Sequence, residues 1–415
     1  MKLGLQVNPL EQAVPSLSRL HLSSVKASDV VDLVSSWQEI VTVEGGEDFI
    51  KGENDTFHLE DPETRWSMST MKTAISDAEK ETLEEDTESG DRIIDYNKVV
   101  KRLASHTEVL PSAKETPYFN HAAFYSNLKH YNPRLLSNIG AFGRYLLYGE
   151  VVTSTSTMLE RNPIWLKLLP SGFTFTATTQ VAGRGRGSNV WVSPPGSLMF
   201  STVIRHSMSL TQTAPVVFVQ YLAALAIVEG IQSYDRGYSS VPIKLKWPND
   251  VYALDPQSEE GKPSYVKVGG ILVNSSYSGG DYTLVVGIGI NVANAAPTTG
   301  LNILASHAKL EPFQPEKLLA RILTTLEATY GQFSRTGWEG NLESQYYKHW
   351  LHSDQIVTLE AEGGVKAKVK GITRDFGLLL AEELGWEDRP TGRVWQLQSD
   401  SNSFDFFKGL VKRKV

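Results

Sequence analysis

The sequence predicts an α+β protein in which a mixed β-sheet domain backed by helices is followed by a small C-terminal β-barrel. Three observations carry that expectation. From about residue 116 helical and strand patterns alternate, with two strongly apolar helical segments enclosing stretches rich in β-branched residues. Beyond Trp350 only short strands and tight turns remain, as in "QIVTLEAEGGVKAKVKGITRDFGLLLAEE" and "GRVWQLQS". Before residue 116 the composition changes: residues 1–115 carry 12 basic and 23 acidic side chains, whereas the rest carry 28 and 24.

That imbalance defines three regions: an acidic, partly disordered N-terminal region over 1–115, a principal domain over 116–349 and the barrel over 350–415. The start, "MKLGLQVNPLEQAV", has no sustained apolar run of the kind a secretory signal needs. "DVVDLVSSWQEIVTVEGGEDFI" has enough apolar residues for some local structure but no motif. "SDAEKETLEEDTESGD" reads as a solvated linker. The chain has no cysteine, which excludes disulfides, a thiolate nucleophile and cysteine-bound metal, and fits a reducing cytoplasmic location.

In the principal domain, Pro215 opens a buried helix over 215–230, "APVVFVQYLAALAIVEG", which Gln220 and Tyr221 interrupt and which is too short to favour a membrane span. A second helix over 315–333 places Leu319, Ile322, Leu323, Leu326 and Tyr330 on one face after Pro315. Between them, "VPIKLKWPND", "YVKVGGILVNSS" and "YTLVVGIGINV" read as strands of a mostly antiparallel sheet, the last two joined by a turn at "SGGD".

Three constellations point to chemistry. "TTQVAGRGRGSNVWVSP" sets Arg184 and Arg186 between Gly183, Gly185 and Gly187, combining bare backbone with two guanidinium forks suited to carboxylate or phosphate oxygens. The preceding "TFTATTQ" is threonine-rich instead of reading as a buried parallel strand, and no Gly-Lys-Ser follows, so neither a dinucleotide fold nor a P-loop is expected. Trp191 lies close enough to close over a ligand or to plug the core. In "KWPND", Lys244 and Lys246 share one strand face and Pro248 ends the strand, so Asn249 and Asp250 project beyond it, as an ordinary turn or as oxygen ligands beside a phosphate-binding lysine. The glycines of "VGGIL" and "GIGIN" mark a bulge or a close approach of another backbone or a ligand. No HExxH, no spacing of histidines and carboxylates suited to zinc and no GxSxG occurs; His206 is read as structural and the basic end "KGLVKRKV" as solvated.

Taken together and in order, "TSTSTML", "TTQVAGRGRGSNVWVSPPGSLMFS", "KLKWPND", "VGGILVN" and "VVGIGINV" resemble the biotin protein ligases, or holocarboxylase synthetases, most closely the eukaryotic fungal branch. The resemblance covers roughly 116–415. It implies an enzyme that makes biotinyl-5'-adenylate from biotin and MgATP and then biotinylates a lysine on the carrier domain of a carboxylase. Carried over by position, it assigns Ser154, Thr155, Ser156 and Gln180 to biotin, Arg184, Gly185 and Arg186 to the loop that covers biotin and adenylate, and Lys246 to the biotin carboxylate and α-phosphate. Arg184, Arg186 and Lys246 would be the catalytic cations. Gly270, Gly287 and Gly289 would line the biotin pocket; Gly183, Trp191, Asn249, Asp250 and Asn291 would face the nucleotide, with Asp250 at magnesium. Ser156 stands where bacterial members of that family commonly have asparagine, and Ser188 where a further glycine is common.

No DNA and no membrane partner is expected. A lipoate–protein ligase, which shares fold and adenylate chemistry, and a catalytically inactive biotin or nucleotide binder are the alternatives. Because every matched residue lies beyond 116, the sequence also predicts that removal of 1–115 leaves activity nearly intact.

Overall fold

The computed structural model describes residues 19–61, 99–138, 140–187, 189–191, 193–259, 261–294, 299–399, 402–405 and 409–413. The acidic "SDAEKETLEEDTESGD" stretch and Ser188 lie outside them. The main sheet has twelve strands. In chain order they are β1 (Leu20–Ser24), β2 (Val41–Glu44), β3 (Glu47–Lys51), β4 (Thr56–Glu60), β5 (Lys101–Ser105), β6 (Tyr145–Val152), β7 (Thr174–Gln180), β8 (Ser197–Ser207), β9 (Ile243–Lys246), β10 (Asp250–Leu254), β11 (Tyr265–Ser278) and β12 (Asp281–Asn291). Their spatial order is β2-β3-β4-β5-β1-β6-β7-β8-β12-β11-β10-β9. Only β4 with β5, β5 with β1, and β6 with β7 run parallel, so the expected mixed, mostly antiparallel sheet is present.

Two expectations from the sequence are corrected, one in the N-terminal region and one at β7. The described part of the first 115 residues is folded, and β1 pairs with β6 over five residues, so no break in the sheet coincides with position 115. Its strands are only four or five residues long and mix polar with apolar residues, which hid them, yet Leu20, Leu22, Ile50, Phe57 and Leu103 are buried. Likewise "TFTATTQ" is strand β7, buried over its first four residues and parallel to β6. Its threonines are tolerated inside because their hydroxyls are bonded: Thr176 donates to the Met199 carbonyl at 2.7 Å and Thr174 to that of Gly172 at 3.1 Å. The antiparallel pairing of β7 with β8 still excludes a doubly wound sheet.

Strand parity sorts the core into two layers. Leu284, Val286, Ile288 and Ile290 of β12 face one hydrophobic cluster, which also holds the expected helices at Val219–Gln232 and Pro315–Thr336. The first of these is apolar on every side because it is buried on every side. The opposite face carries Val285, Val203 and Phe175 and is covered by helices at Ala27–Ser35, Thr155–Glu160 and Pro163–Leu168, with Trp37, Phe57 and Trp165 at its centre. No described helix is long and apolar enough to cross a membrane.

The C-terminal region forms a second sheet of β13 (Ile356–Leu359), β14 (Val365–Ile372), β15 (Leu379–Leu384), β16 (Pro390–Leu397), β17 (Asn402–Asp405) and β18 (Leu410–Arg413). Its order is β16-β15-β14-β13-β18-β17, a row with two edges among the described residues and not a closed barrel. The supposedly solvated basic end contributes β18, which pairs with β13 and β17. Nor is this sheet separate: Val357, Ala367, Val369, Leu379 and Val411 belong to the same hydrophobic cluster as the central helices.

Candidate functional site

A cleft of about 530 Å³ opens where the second face of the sheet loses its helical cover. Its floor follows from register. Gly287 pairs with Leu272 and Ser201, and Gly289 with Gly270 and Met199, so these positions share the face of Val285. Where Val285 fills space with a side chain, the next two residues on that face have none. Trp191 uses the space: a Cβ on Gly289 would lie 2.7 Å from the indole, and one on Gly270 would lie 3.3 Å from it. The glycines therefore mark a close approach and not a bulge, since the β11–β12 register runs through them unbroken. The ring is half-buried in the cleft, flat against the glycines, and is not in the core.

The loop between β7 and β8 folds back as a narrow hairpin. Trp191 N–H donates to the Gly183 carbonyl at 2.9 Å, Gly185 N–H to Asn189 at 2.8 Å, and Arg184 bridges Val190. The turn uses Gly187 at φ +62°, in the left-handed region that glycine enters without strain. Gly183 serves packing: a Cβ there would sit 2.4 Å from the Trp191 carbonyl.

One end of the cleft is neutral and polar. Ser154 caps the short helix Thr155–Glu160, accepting from Thr157 N–H. Thr155 donates its N–H to Gln180 Oε1 at 2.8 Å and its hydroxyl lies 2.9 Å from that of Ser201; Gln180 Nε2 donates to Ser193 at 3.1 Å. Ser154, Thr155 and Ser156 are all buried, and Ser154 and Ser156 lie 3.3 Å apart through their hydroxyls.

The other end is cationic. β9 and β10 form a tight hairpin in which Asp250 pairs with Lys246, so "KWPND" is the turn itself, with Asp250 as the first residue of the returning strand. As expected, Ile243 and Leu245 are buried and Lys244 and Lys246 lie on the other face. Asn249 donates to the Ile271 carbonyl at 2.6 Å, fastening the turn to β11. Arg186 crosses from the loop, donating to Asn249 Oδ1 at 3.4 Å and to Ser399 Oγ at 2.7 Å. Arg184 points elsewhere, to an ion pair with Glu160, which also accepts from Asn274. Asp250 is held by Lys267 at 2.7 Å and by Lys246 at 4.0 Å.

The cleft thus gathers Ser154, Thr155, Ser156, Gln180, Arg184, Gly185, Arg186, Trp191, Lys246, Asn249, Asp250, Gly270, Gly287 and Gly289. Gly183 and Asn291 are not in its lining: the first packs under Trp191 and the second, at the end of β12, accepts from Asn294 at 2.8 Å. Lys267 and Ser399 line it without having been predicted. Lys267 sits at a register shift between β10 and β11, which turns it toward the face of Gly270 three residues away, and simple alternation misses such a residue. Its ammonium lies 5.6 Å from the Trp191 ring centre. Ser399 reaches the site from the second sheet, and nothing local in the sequence announces it.

The cleft rests on the second sheet through buried polar contacts. Trp247 N–H donates to His352 Nε2 at 2.9 Å, and Trp247 Nε1 and the Tyr221 hydroxyl donate to the Gly377 carbonyl at 3.0 and 2.9 Å. Burial lowers the pKa of His352 to about 4, which keeps the ring neutral and able to accept.

A model of the biotin/lipoate A/B protein ligase family matches residues 148–291, from within β6 to the end of β12. A biotin–protein ligase of Schizosaccharomyces pombe is 43% identical over 284 residues, covering 66% of this chain and 44% of that protein. The human biotin–protein ligase is 31% identical over 324 residues, 76% of this chain and 42% of that protein. The chloroplastic biotin–protein ligase 1 of Arabidopsis thaliana is 35% identical over 283 residues, 66% of this chain and 70% of that protein. The chain therefore spans less than half the length of the fungal and human relatives. Among solved structures, the biotin protein ligase from Aquifex aeolicus in complex with biotin and ATP is similar at a TM-score of 0.45 and 23% identity, covering 65% of this chain and 99% of that one.

Proposed function

The chain belongs to the biotin protein ligase family, and from that premise we propose that it activates biotin with ATP and transfers it to a lysine on the carrier domain of a carboxylase. One observation carries the reading: a single cleft joins a buried hydroxyl and amide end to a cationic end across a glycine floor. Biotin asks for that division, with a polar ring system at one end and a carboxylate at the other.

In the first step a biotin carboxylate oxygen attacks the α-phosphorus, the bond to the β-phosphate breaks and pyrophosphate leaves. Two anions must meet, so cations fixed beforehand lower the barrier most. Lys246, Lys267 and Arg186 supply them, the last oriented by Asn249 and Ser399. Arg184 reaches an anion only by leaving Glu160, which makes it the cation recruited when the loop closes. Asp250, the only carboxylate among the described residues that line the cleft, would hold magnesium carried on ATP phosphates, which would neutralise phosphate charge. In the second step the acceptor amine attacks the acyl carbon, the acyl–phosphate bond breaks, AMP leaves and the amine gives up its proton. Trp191 and the hairpin loop shield the mixed anhydride from water until then.

Biotin-dependent exchange of labelled pyrophosphate into ATP tests the first step, and transfer to a purified carrier domain tests the second. No exchange with folded protein would defeat the proposal in favour of an inactive binder; exchange driven by lipoate instead would favour the lipoate ligase. A cytoplasmic location is proposed on the cysteine-free composition.

A further inference from the structure

Away from the cleft, β1 and β5 bring together side chains that are far apart in the sequence. These parallel neighbours pair His21 with Ala104, and His106, two residues on, donates its N–H to the Leu22 carbonyl at 2.9 Å. Parity therefore puts both imidazoles on one sheet face. His21 Nδ1 and His106 Nε2 are 3.0 Å apart, both residues are buried, and a carboxylate oxygen of Glu115 lies within 4.8 Å of a nitrogen on each ring.

The surroundings orient these groups. Glu115 Oε2 accepts from both the N–H and the hydroxyl of Ser112, at 2.8 Å each, which pins the carboxylate. The His106 ring is hydrogen-bonded to the backbone of Val109, the kind of second contact that fixes the tautomer of a metal-binding imidazole. A third imidazole adjoins them. His121 is 1% exposed; its Nδ1 lies 3.0 Å from Ser23 Oγ, while its buried Nε2 has no hydrogen-bond partner among the described residues. A hydrogen-bonded histidine pair accounts for the 3.0 Å contact alone. It does not explain the pinned carboxylate beside it.

We propose that His21, His106 and Glu115 bind one divalent transition-metal ion of the zinc class, with the fourth position left to water. Imidazole nitrogen and carboxylate oxygen are the ligands zinc takes in such open three-residue sites. Two donors on a tetrahedral zinc at about 2.0–2.1 Å lie roughly 3.3 Å apart, so the histidine pair has to open by only a few tenths of an ångström. The ion ties β1 and β5 to the segment leading into the helix His121–Tyr131, and so clamps the N-terminal strands to the body of the protein. This site is independent of the ligase reading.

The test uses full-length protein stripped with a chelator, dialysed, and titrated with Zn2+ alone by calorimetry and with Co2+ by visible absorption. The expected result is one equivalent per chain, a tetrahedral Co2+ absorption band and a thermal midpoint that rises with metal. Glu115 is exposed, so Glu115→Gln should fold, and it should weaken binding at least about tenfold. His106→Gln should abolish the stoichiometric site; if it does not fold, Glu115→Gln decides alone. No binding by the wild type at micromolar free Zn2+, or wild-type affinity in Glu115→Gln, would overturn the proposal.

Discussion

At the scale of single residues, Lys246 carries the most specific prediction. On the proposed mechanism it would face a carboxylate and an α-phosphate together in adenylation, and only the departing phosphate in transfer. A charge contact at ~4 Å and an effective dielectric of about 20 is worth up to ~4 kcal/mol before desolvation, on the order of a thousandfold in rate. Lys246→Gln should therefore nearly abolish pyrophosphate exchange, while transfer from supplied biotinyl-adenylate falls by a clearly smaller factor. Equal losses in the two half-reactions, timed on one folded variant, would contradict that division of labour. Gly289 gives a second prediction with a spectroscopic signal. The methyl of Gly289→Ala would meet the Trp191 indole at 2.7 Å. Overpacking of that kind costs about 1–3 kcal/mol, so exchange should drop roughly ten- to a hundredfold as the loop is pushed off the floor. Tryptophan emission should shift with it. Unchanged emission with unchanged exchange would mean the ring simply moves aside.

At the scale of elements, what the sequence disclosed depended on how local the signal was. The helices at Val219–Gln232 and Pro315–Thr336 and the hairpin of β11 and β12 were readable because each is long, apolar and patterned within itself. β1 to β5 were not, being four or five residues each, and β1 and β5 are completed only by partners far along the chain. Lys267 was hidden by a register shift, Ser399 by its place beside another sheet, and the His21, His106 and Glu115 cluster by the 85-residue separation of its histidines. The missed strands reverse the truncation prediction. Asn162, which follows the helix bearing Ser154 and Thr155, is fully buried; its Oδ1 accepts from the N–H groups of Asn54 and Asp55 at 3.1 and 3.0 Å, and its Nδ2 donates to Asp55 Oδ2 at 2.7 Å. Asp55 in turn pairs with buried Lys101 at 2.6 Å. Deleting 1–115 bares the edge of β6 and empties half of the cluster around Trp165, so the shortened protein should be destabilised and lose exchange. Asn162→Ala is the milder version. It strands the backbone N–H groups of Asn54 and Asp55 at about 1–3 kcal/mol per group, leaves the Asp55 carboxylate its bonds to Lys101 and Asn54, and should lower the melting temperature by several degrees, with full exchange retained at low temperature. A stable, active 116–415 fragment would restore the original reading.

At the scale of the whole molecule, the second sheet is part of the site's foundation, because the "KWPND" hairpin stands on it. His352 is the joint: fully buried, it accepts from Trp247 N–H through Nε2 and meets Gln355 Oε1 through Nδ1 at 3.1 Å. That arrangement requires a neutral ring with its proton on Nδ1. Burial, with a smaller contribution from the nearby Lys246 charge, lowers the ring's pKa from 6.5 to about 4. The unfolded chain takes up the proton near 6.5 and the folded chain only near 4, so the unfolded state binds more protons between those values. Stability from this group is full above about 6.5 and is lost as pH falls toward 4. His206 and His349, also lowered by burial, act in the same direction, while Glu150, Glu229 and Glu327, raised by burial, take up protons first in the folded state and offset part of the loss. Replacing His352 by glutamine isolates the joint, since an amide oxygen still accepts from Trp247 but does not titrate. Melting temperatures followed by circular dichroism from pH 7.5 to 4 at constant ionic strength should fall more steeply for the wild type than for His352→Gln. Parallel curves would show that protonation of this ring is not what loosens the hairpin from the sheet beneath it.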